Sequence, residues 1–387
     1  MTLELNKIGA QIDDVGRKLA SRVEHVEQVL PALRALRQAF SGDLERLRML
    51  AASPEGEDPR CSVPTGERLD ATFSAPPAPA RATIVAADGS QIYPDAHGWA
   101  LYYLINVGSL VYLHGSREAP RAETEPLIGD AVDDAGNLLT GEQVSARRDV
   151  AEIRKLAEKA GQISGAGPLV ALLDSTLGLR AWSAAIPQQE QDALQKDYAA
   201  ALDRLRASGA ALAGVVSRSR RAGTVSLLEV ARREDPQEPS AIPSPFRGIT
   251  DQALWGDLKA GERSALMSSG GSSPVYFFYL NTEPPGSPRE SSSEAEPARI
   301  EIPGWVALNP EKLEWVHSLI YDQCIINGGY PYALSRADEL AIILGEEREA
   351  LEMMILRSAS LQGAPLLRTS YKQAQKRVAR VQLRRRN

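Results

Sequence analysis

Two aspartates stand where apolar runs stop. Asp88 follows the run from Thr83 to Ala87 in TIVAADGSQIYPD (83–95), and Asp174 closes the run in GPLVALLDSTLG (167–178). Both runs read as buried strands, and both acids are followed by small polar residues. Sites in α/β sheets gather at the carboxyl ends of strands, where loops open to solvent. One such acid alone reads as a turn or helix-cap aspartate. Two on neighbouring strands could hold one or two divalent cations, because hard cations prefer carboxylate oxygens. A metal pair about 4 Å apart can clamp both the attacking and the leaving oxygen in phosphodiester cleavage.

A two-metal site wants further carboxylates, and the helical segment SARRDVAEIRKLAEKAG (145–161) offers them. Ile153, Leu156, Ala157 and Ala160 define its apolar face. At about 100° per residue, Glu158 points nearly opposite, Glu152 lies on the edge of that face and Asp149 near its middle. A buried acid is costly unless it is paired or metal-bound. Glu152 is the first choice as a ligand and Asp149 the second; a surface glutamate in a salt bridge is the plain alternative.

The elements that must position these acids alternate along the chain. After the strand at 83–87, GWALYYLINVGSLVYLHG (98–115) reads as two strands with Gly108-Ser109 as a tight turn, and the polar, acidic stretch 116–142 reads as loop. The 145–161 helix, the 167–174 strand, a helix over QQEQDALQKDYAAALDRLRASG and a strand at AALAGVVSRS follow. The pattern predicts an α/β sheet with antiparallel strands near its start. Further on come a helix around 251–267, strands at 274–282 and 298–308, and helices at 310–326, 335–347, 349–360 and 371–386. Residues 1–50 form an amphipathic helical arm for packing or dimerisation, kinked or restarted at Pro31. Residues 51–80, rich in Pro and Gly, read as a linker, and 81–387 as the main domain. That domain carries a mobile loop at about 282–297 and a basic C-terminal tail, with eight Lys/Arg and no acid from Arg368 onward.

Composition narrows the function. A net charge of −6 argues against a surface coated for nucleic acid, though not against a local basic groove. The two cysteines, Cys61 and Cys324, have no metal-ligand spacing, which fits a reducing cytoplasm. The N-terminal stretch contains acids and is no signal peptide, and no apolar run approaches the ~20 residues of a membrane span. No G-x-x-x-x-G-K-[ST] sequence occurs, so any unwinding or pumping falls to another protein.

ADGSQIYPD, YYLINVGSLVY, LLDSTL and GGYPYALSRADELAII, in this order and spacing from about Ala82 to Lys372, resemble the NurA nucleases. The resemblance implies an RNase H-like mixed sheet flanked by helices. It implies an Mn²⁺- (or Mg²⁺-) dependent deoxyribonuclease that processes DNA ends, cutting single strands or digesting 5′ to 3′, in DNA repair or phage defence. It also implies a homodimer partnered by a HerA-type hexameric ATPase. Carried across, the metal acids are Asp88, Glu152 and Asp174, with Tyr330 and Asp338 from the late motif. The family has Gly where this chain has Ser175, and a histidine where it has Asp338. An aspartate also ligates hard cations, and Asp338 is expected at the start of a helix, where the dipole favours its charge. The alternative is a non-catalytic DNA-binding or motor-capping subunit of the same fold. An aspartyl-nucleophile phosphatase fits less well, since no second acid stands two residues beyond Asp88.

Overall fold

The computed structural model describes residues 4–52, 61–98, 100–133, 135–163, 165, 167–178, 185–233, 244–271, 274–287 and 295–363. Contacts gather the chain into two compact units, Met1–Pro77 with Val215–Tyr330 and Ala78–Gly214 with Pro331–Asn387. The first opens with a 3₁₀ turn (Leu5–Ile8), α1 (Gly9–Ala39), α2 (Leu44–Ala52), β1 (Val63–Pro64) and β2 (Thr72–Ser74). The second runs through β3 (Ala82–Ile92), β4 (Tyr102–His114), β5 (Arg121–Asp130), α3 (Gly141–Gly161), β6 (Leu169–Leu173), α4 (Gln188–Ala207) and β7 (Ala211–Val216). The chain returns to the first with α5 (Gly223–Ala231), α6 (Asp251–Leu254), β8 (Glu262–Ser264), β9 (Met267–Ser268), β10 (Tyr276–Leu280), β11 (Ala298–Ile302), α7 (Gly304–Ala307) and α8 (Pro310–Ile326). Two helices, α9 (Tyr332–Ala341) and α10 (Gly345–Leu361), complete the second.

In the second unit the strands lie in the order β7-β6-β3-β4-β5. β3, β4 and β5 form an antiparallel meander, and β6 and β7 add in parallel beside β3. This is the mixed sheet of an RNase H-like fold. All five residues of β6 are buried, as a strand covered on both faces requires. α3 packs against β3, β4 and α4, and α9 against β3 and β4. α3 starts from a capping box, Thr140 Oγ1 accepting from Gln143 N at 3.2 Å and Gln143 Oε1 from Thr140 N at 2.9 Å. It turns Val150, Ile153, Leu156 and Ala157 inward.

The first unit has its own core. Leu33 of α1 and Leu47 of α2 are fully buried with Trp255, Phe277 and Tyr279. β1 and β2, inside the stretch expected as a linker, pair with β9 and β8. α1 runs unbroken through Pro31, and the helical segment breaks instead at 40–43, before α2. No described helix is long and apolar enough to cross a membrane.

Several expected elements are corrected. β4 is one strand of 13 residues, so Gly108-Ser109 is no turn. Gly108 marks a close approach: a Cβ there would lie 2.3 Å from the backbone oxygen of Ala337 in α9. The acidic stretch taken as loop holds β5, an edge strand paired with β4 whose mostly exposed residues leave no apolar run to read. The helix expected over 251–267 stops at Leu254, and Gly261 takes φ +75° on the way into β8. Pro303 ends β11 at Ile302. α9 begins just after Pro331, so Asp338 lies in its last turn, not at its start. Part of the 282–297 loop, and the basic tail with its 371–386 helix, lie outside the described residues.

Candidate functional site

β3 positions the first acid. Pairing with β6 runs in parallel register to Ala87 opposite Leu173, so Asp88 and Asp174 follow side by side on neighbouring strands about 4.8 Å apart. Side chains alternate across a strand, and the contacts of β3 show which face is which. Ser90 Oγ donates to the carbonyl of Ala341 at the end of α9. Gly108, opposite Asp88 in the β3–β4 ladder, lies against Ala337. Asp88 and Ser90 therefore face α9, and Gly89 and Gln91 face α3.

Each helix brings acids to this strand. Asp338 comes from α9, and its charge bears on Asp88. Burial, then the charges of Asp174 and Asp338, push the Asp88 carboxyl up to about 7, against one opposing hydrogen bond from the Gly89 backbone. Asp338 sits in the C-terminal turn of α9, where the helix dipole disfavours a negative charge.

α3 brings Glu152 and Asp149. Glu152 is 4% exposed, whereas Glu158, on the opposite side of the helix, is solvated. Burial raises the Glu152 carboxyl well above its usual range; Arg148 opposes the shift, and Asp149, Asp88 and Asp174 add to it. Gly89 makes the room: a Cβ there would stand 2.7 Å from Glu152 Oε1 and 2.8 Å from Arg148 Cγ. Arg148 reaches three partners: Nε stands 3.0 Å from Glu152 Oε1, one terminal nitrogen 3.0 Å from Asp149 Oδ1, and the other donates to Gln91 Oε1 at 2.9 Å. The Nε–Oε1 contact lacks hydrogen-bond alignment, leaving Glu152 Oε1 buried without a hydrogen-bond donor.

Asp174, Glu152 and Asp338 thus each lie within electrostatic reach of Asp88, and Asp149 within reach of Glu152. Among the described residues, no three His, Cys, Asp or Glu stand in ligating geometry for a metal. The donors nonetheless suit a hard divalent cation: they are all carboxylate oxygens, one is orphaned, and their crowded charge calls for protons or a cation. Tyr330 closes the first unit in the bend after α8, and Pro331 opens the second. Tyr332, its neighbour in the motif, packs edge-on against Tyr112 with ring centres 5.7 Å apart. Sequence reasoning passed over Arg148 and Gln91; the signal for Arg148 was its place four residues before Glu152 on one helix face.

The first unit holds an apolar groove of about 500 Å³ that contains none of these acids. Beside it Arg263 of β8 has a structural task. Arg263 grips the Glu67 carboxylate at 2.8 and 2.9 Å and stacks 3.9 Å from the centre of the Phe73 ring.

A family model of the NurA domain matches residues 82–343, and the chain belongs to that family. The crystal structure of the NurA nuclease from Sulfolobus solfataricus aligns with a TM-score of 0.50 and 11% identity, over 91% of this chain and 98% of that one. The catalytic domain of human Endonuclease V aligns at a TM-score of 0.34 and 12% identity, over 85% of this chain and 98% of that one. None of the curated proteins matches.

Proposed function

We propose that this NurA-family chain is a divalent-metal-dependent deoxyribonuclease acting on single-stranded DNA or DNA ends. The observation that carries the reading is the β3–β6 register that ends one residue before both Asp88 and Asp174, with the buried Glu152 carboxylate seated against Gly89 beside them. Asp88, Glu152, Asp174 and Asp338 would hold the cation, Mn²⁺ or Mg²⁺, with Asp149 as the alternative on α3. Bound there, it would supply a nucleophilic water at neutral pH and stabilise the leaving 3′-oxygen. The chain's own part is orientation. β3 and β6 fix two acids by their register, Gly89 admits the Arg148–Glu152 pair onto the strand, and Gly108 lets α9 close until Asp338 meets Asp88. Tyr330 enters from the family motif as a further active-site residue.

The family also suggests DNA as substrate, a HerA-like hexameric ATPase as partner, a homodimer and a cytoplasmic setting. For the dimer, the exposed stripe Ile12, Val15, Leu19 and Val23 on α1 is the surface of choice, in keeping with an N-terminal arm. A second reading, a DNA-binding or motor-capping subunit that does not cut, rests on Ser175 and Asp338, where the family pattern has glycine and histidine. One experiment separates the two: a single-stranded oligonucleotide with Mn²⁺, wild type against Asp88→Ala. Cleavage lost in the variant supports the nuclease. Binding without cleavage by the wild type, its motor partner present, supports the second reading.

A further inference from the structure

β3 runs on past Asp88 to the rim of an open groove. Residues 90–96, 343–345 and Arg348 line about 580 Å³, starting at Ser90, which shares the face of Asp88 two residues away. That volume falls within the roughly 300–1,000 Å³ of small-ligand sites, room for a nucleotide or two.

Tyr93 is its most conspicuous feature. The residue is 45% exposed, yet its hydroxyl is held from two sides, accepting from Gln91 Nε2 at 2.6 Å and meeting Ser145 Oγ at 3.1 Å. Its ring lies over Gly141, where a Cβ would come within 3.4 Å. A ring so fixed can stack a base with little loss of conformational freedom, and stacking accepts any base because each has a π-face. The neighbouring acids have tasks of their own: Asp95 accepts from His97 N at 2.9 Å, and Glu347 from Leu344 N at 2.8 Å. Arg348 adds a guanidinium, 3.3 Å from Glu352. The Gln91 that holds Tyr93 also accepts from Arg148, the partner of Glu152, so platform and carboxylate share one chain of contacts.

We propose that this groove receives the single DNA strand beside the carboxylates, with Tyr93 as the platform for a base and Arg348 as a phosphate contact. The proposal rests on the nuclease reading. Its test uses the full chain and a fluorescein-labelled single-stranded oligonucleotide, with affinity measured by anisotropy in EDTA and cleavage measured separately with Mn²⁺. Tyr93→Ala should weaken binding about tenfold. Tyr93→Phe keeps the ring but removes the hydroxyl, so it should keep the affinity within about twofold and lower kcat. Arg348→Ala should reduce the salt slope of binding by about one. Leu344→Glu, at an exposed rim position, puts a charge in the groove without disturbing a core and should also weaken binding. Wild-type affinity in both Tyr93→Ala and Leu344→Glu overturns the groove, while Mn²⁺-dependent cleavage by the same proteins leaves the nuclease reading intact. Wild-type protein that binds but never cuts removes the nuclease reading and keeps the groove. Tighter binding of duplex than of single strand also overturns the proposal.

Discussion

Asp88→Asn is expected to stabilise the metal-free protein above neutral pH while abolishing cleavage. Burial and the neighbouring acids hold the Asp88 carboxyl at about 7 against the ordinary 3.8. The folded state therefore binds more protons than the unfolded state between these values, and stability falls as pH rises through the window. The gap corresponds to a penalty of roughly 4 kcal/mol once Asp88 is fully charged, at about 1.4 kcal/mol per tenfold. It is about half that near pH 5.5 and close to zero by pH 4. Asparagine removes the charge at the same size. At about 2–4 °C per kcal/mol for a unit of this length, the ceiling is a rise in Tm of ~8–15 °C at pH 8. Part is lost because the amide must replace the carboxylate beside the Gly89 backbone, so a rise of about 5 °C is the working expectation. The assay is thermal melting in EDTA at pH 4, 5.5 and 8, with and without Mn²⁺. The wild type should gain more from Mn²⁺ than the variant, because the cation removes the same repulsion. A Tm difference independent of pH, or an Asp88→Asn protein less stable than wild type at pH 8, would refute the electrostatic account of the site.

Two glycines next to the acids should answer differently to alanine. Gly108→Ala drives a Cβ into the backbone of α9 and should cost ~1–3 kcal/mol in denaturant melts. Gly89→Ala meets side-chain atoms of Glu152 and Arg148, which can move, so the fold should survive while cleavage falls more than tenfold. Arg148→Met removes the cation that opposes the burial of Glu152; it should destabilise the metal-free protein, with part of the loss restored by Mn²⁺. A loss that Mn²⁺ leaves untouched would make Arg148 a packing residue. Asp338→His should bring an ionisation near the ordinary ~6.5 of imidazole into the pH–rate profile, and an unaltered profile contradicts a role for Asp338. Leu19→Glu with Val23→Glu should convert a dimer to a monomer in light scattering after gel filtration; a monomeric wild type rules out the α1 interface.

Local patterns made much of this site legible. Asp88 and Asp174 were visible because a charge ending an apolar run is a strong local contrast, and β3 and β6 stop pairing at the residues before them. Helical periodicity singled out Glu152 and set Glu158 aside, and their burial follows that geometry. The motif order carried the family, since ordered pieces survive where overall identity to a structural relative is only 11%. Non-local features were illegible for a common reason. β5 exists because β4 offers it an edge, and its own exposed, acidic sequence gives no strand signal. Gly108 read as a turn because a glycine looks the same whether the chain bends or another backbone comes close.

The acids, their order and the alternation of strands and helices are written in residue types and short spacings. Packing alone puts Asp338 in the last turn of the helix that lies on β3, sets Arg148 on Gly89 between two carboxylates, and fixes Tyr93 at the groove beside them. Those arrangements join residues far apart in the chain, and their geometry depends on how α3 and α9 pack on the two faces of β3.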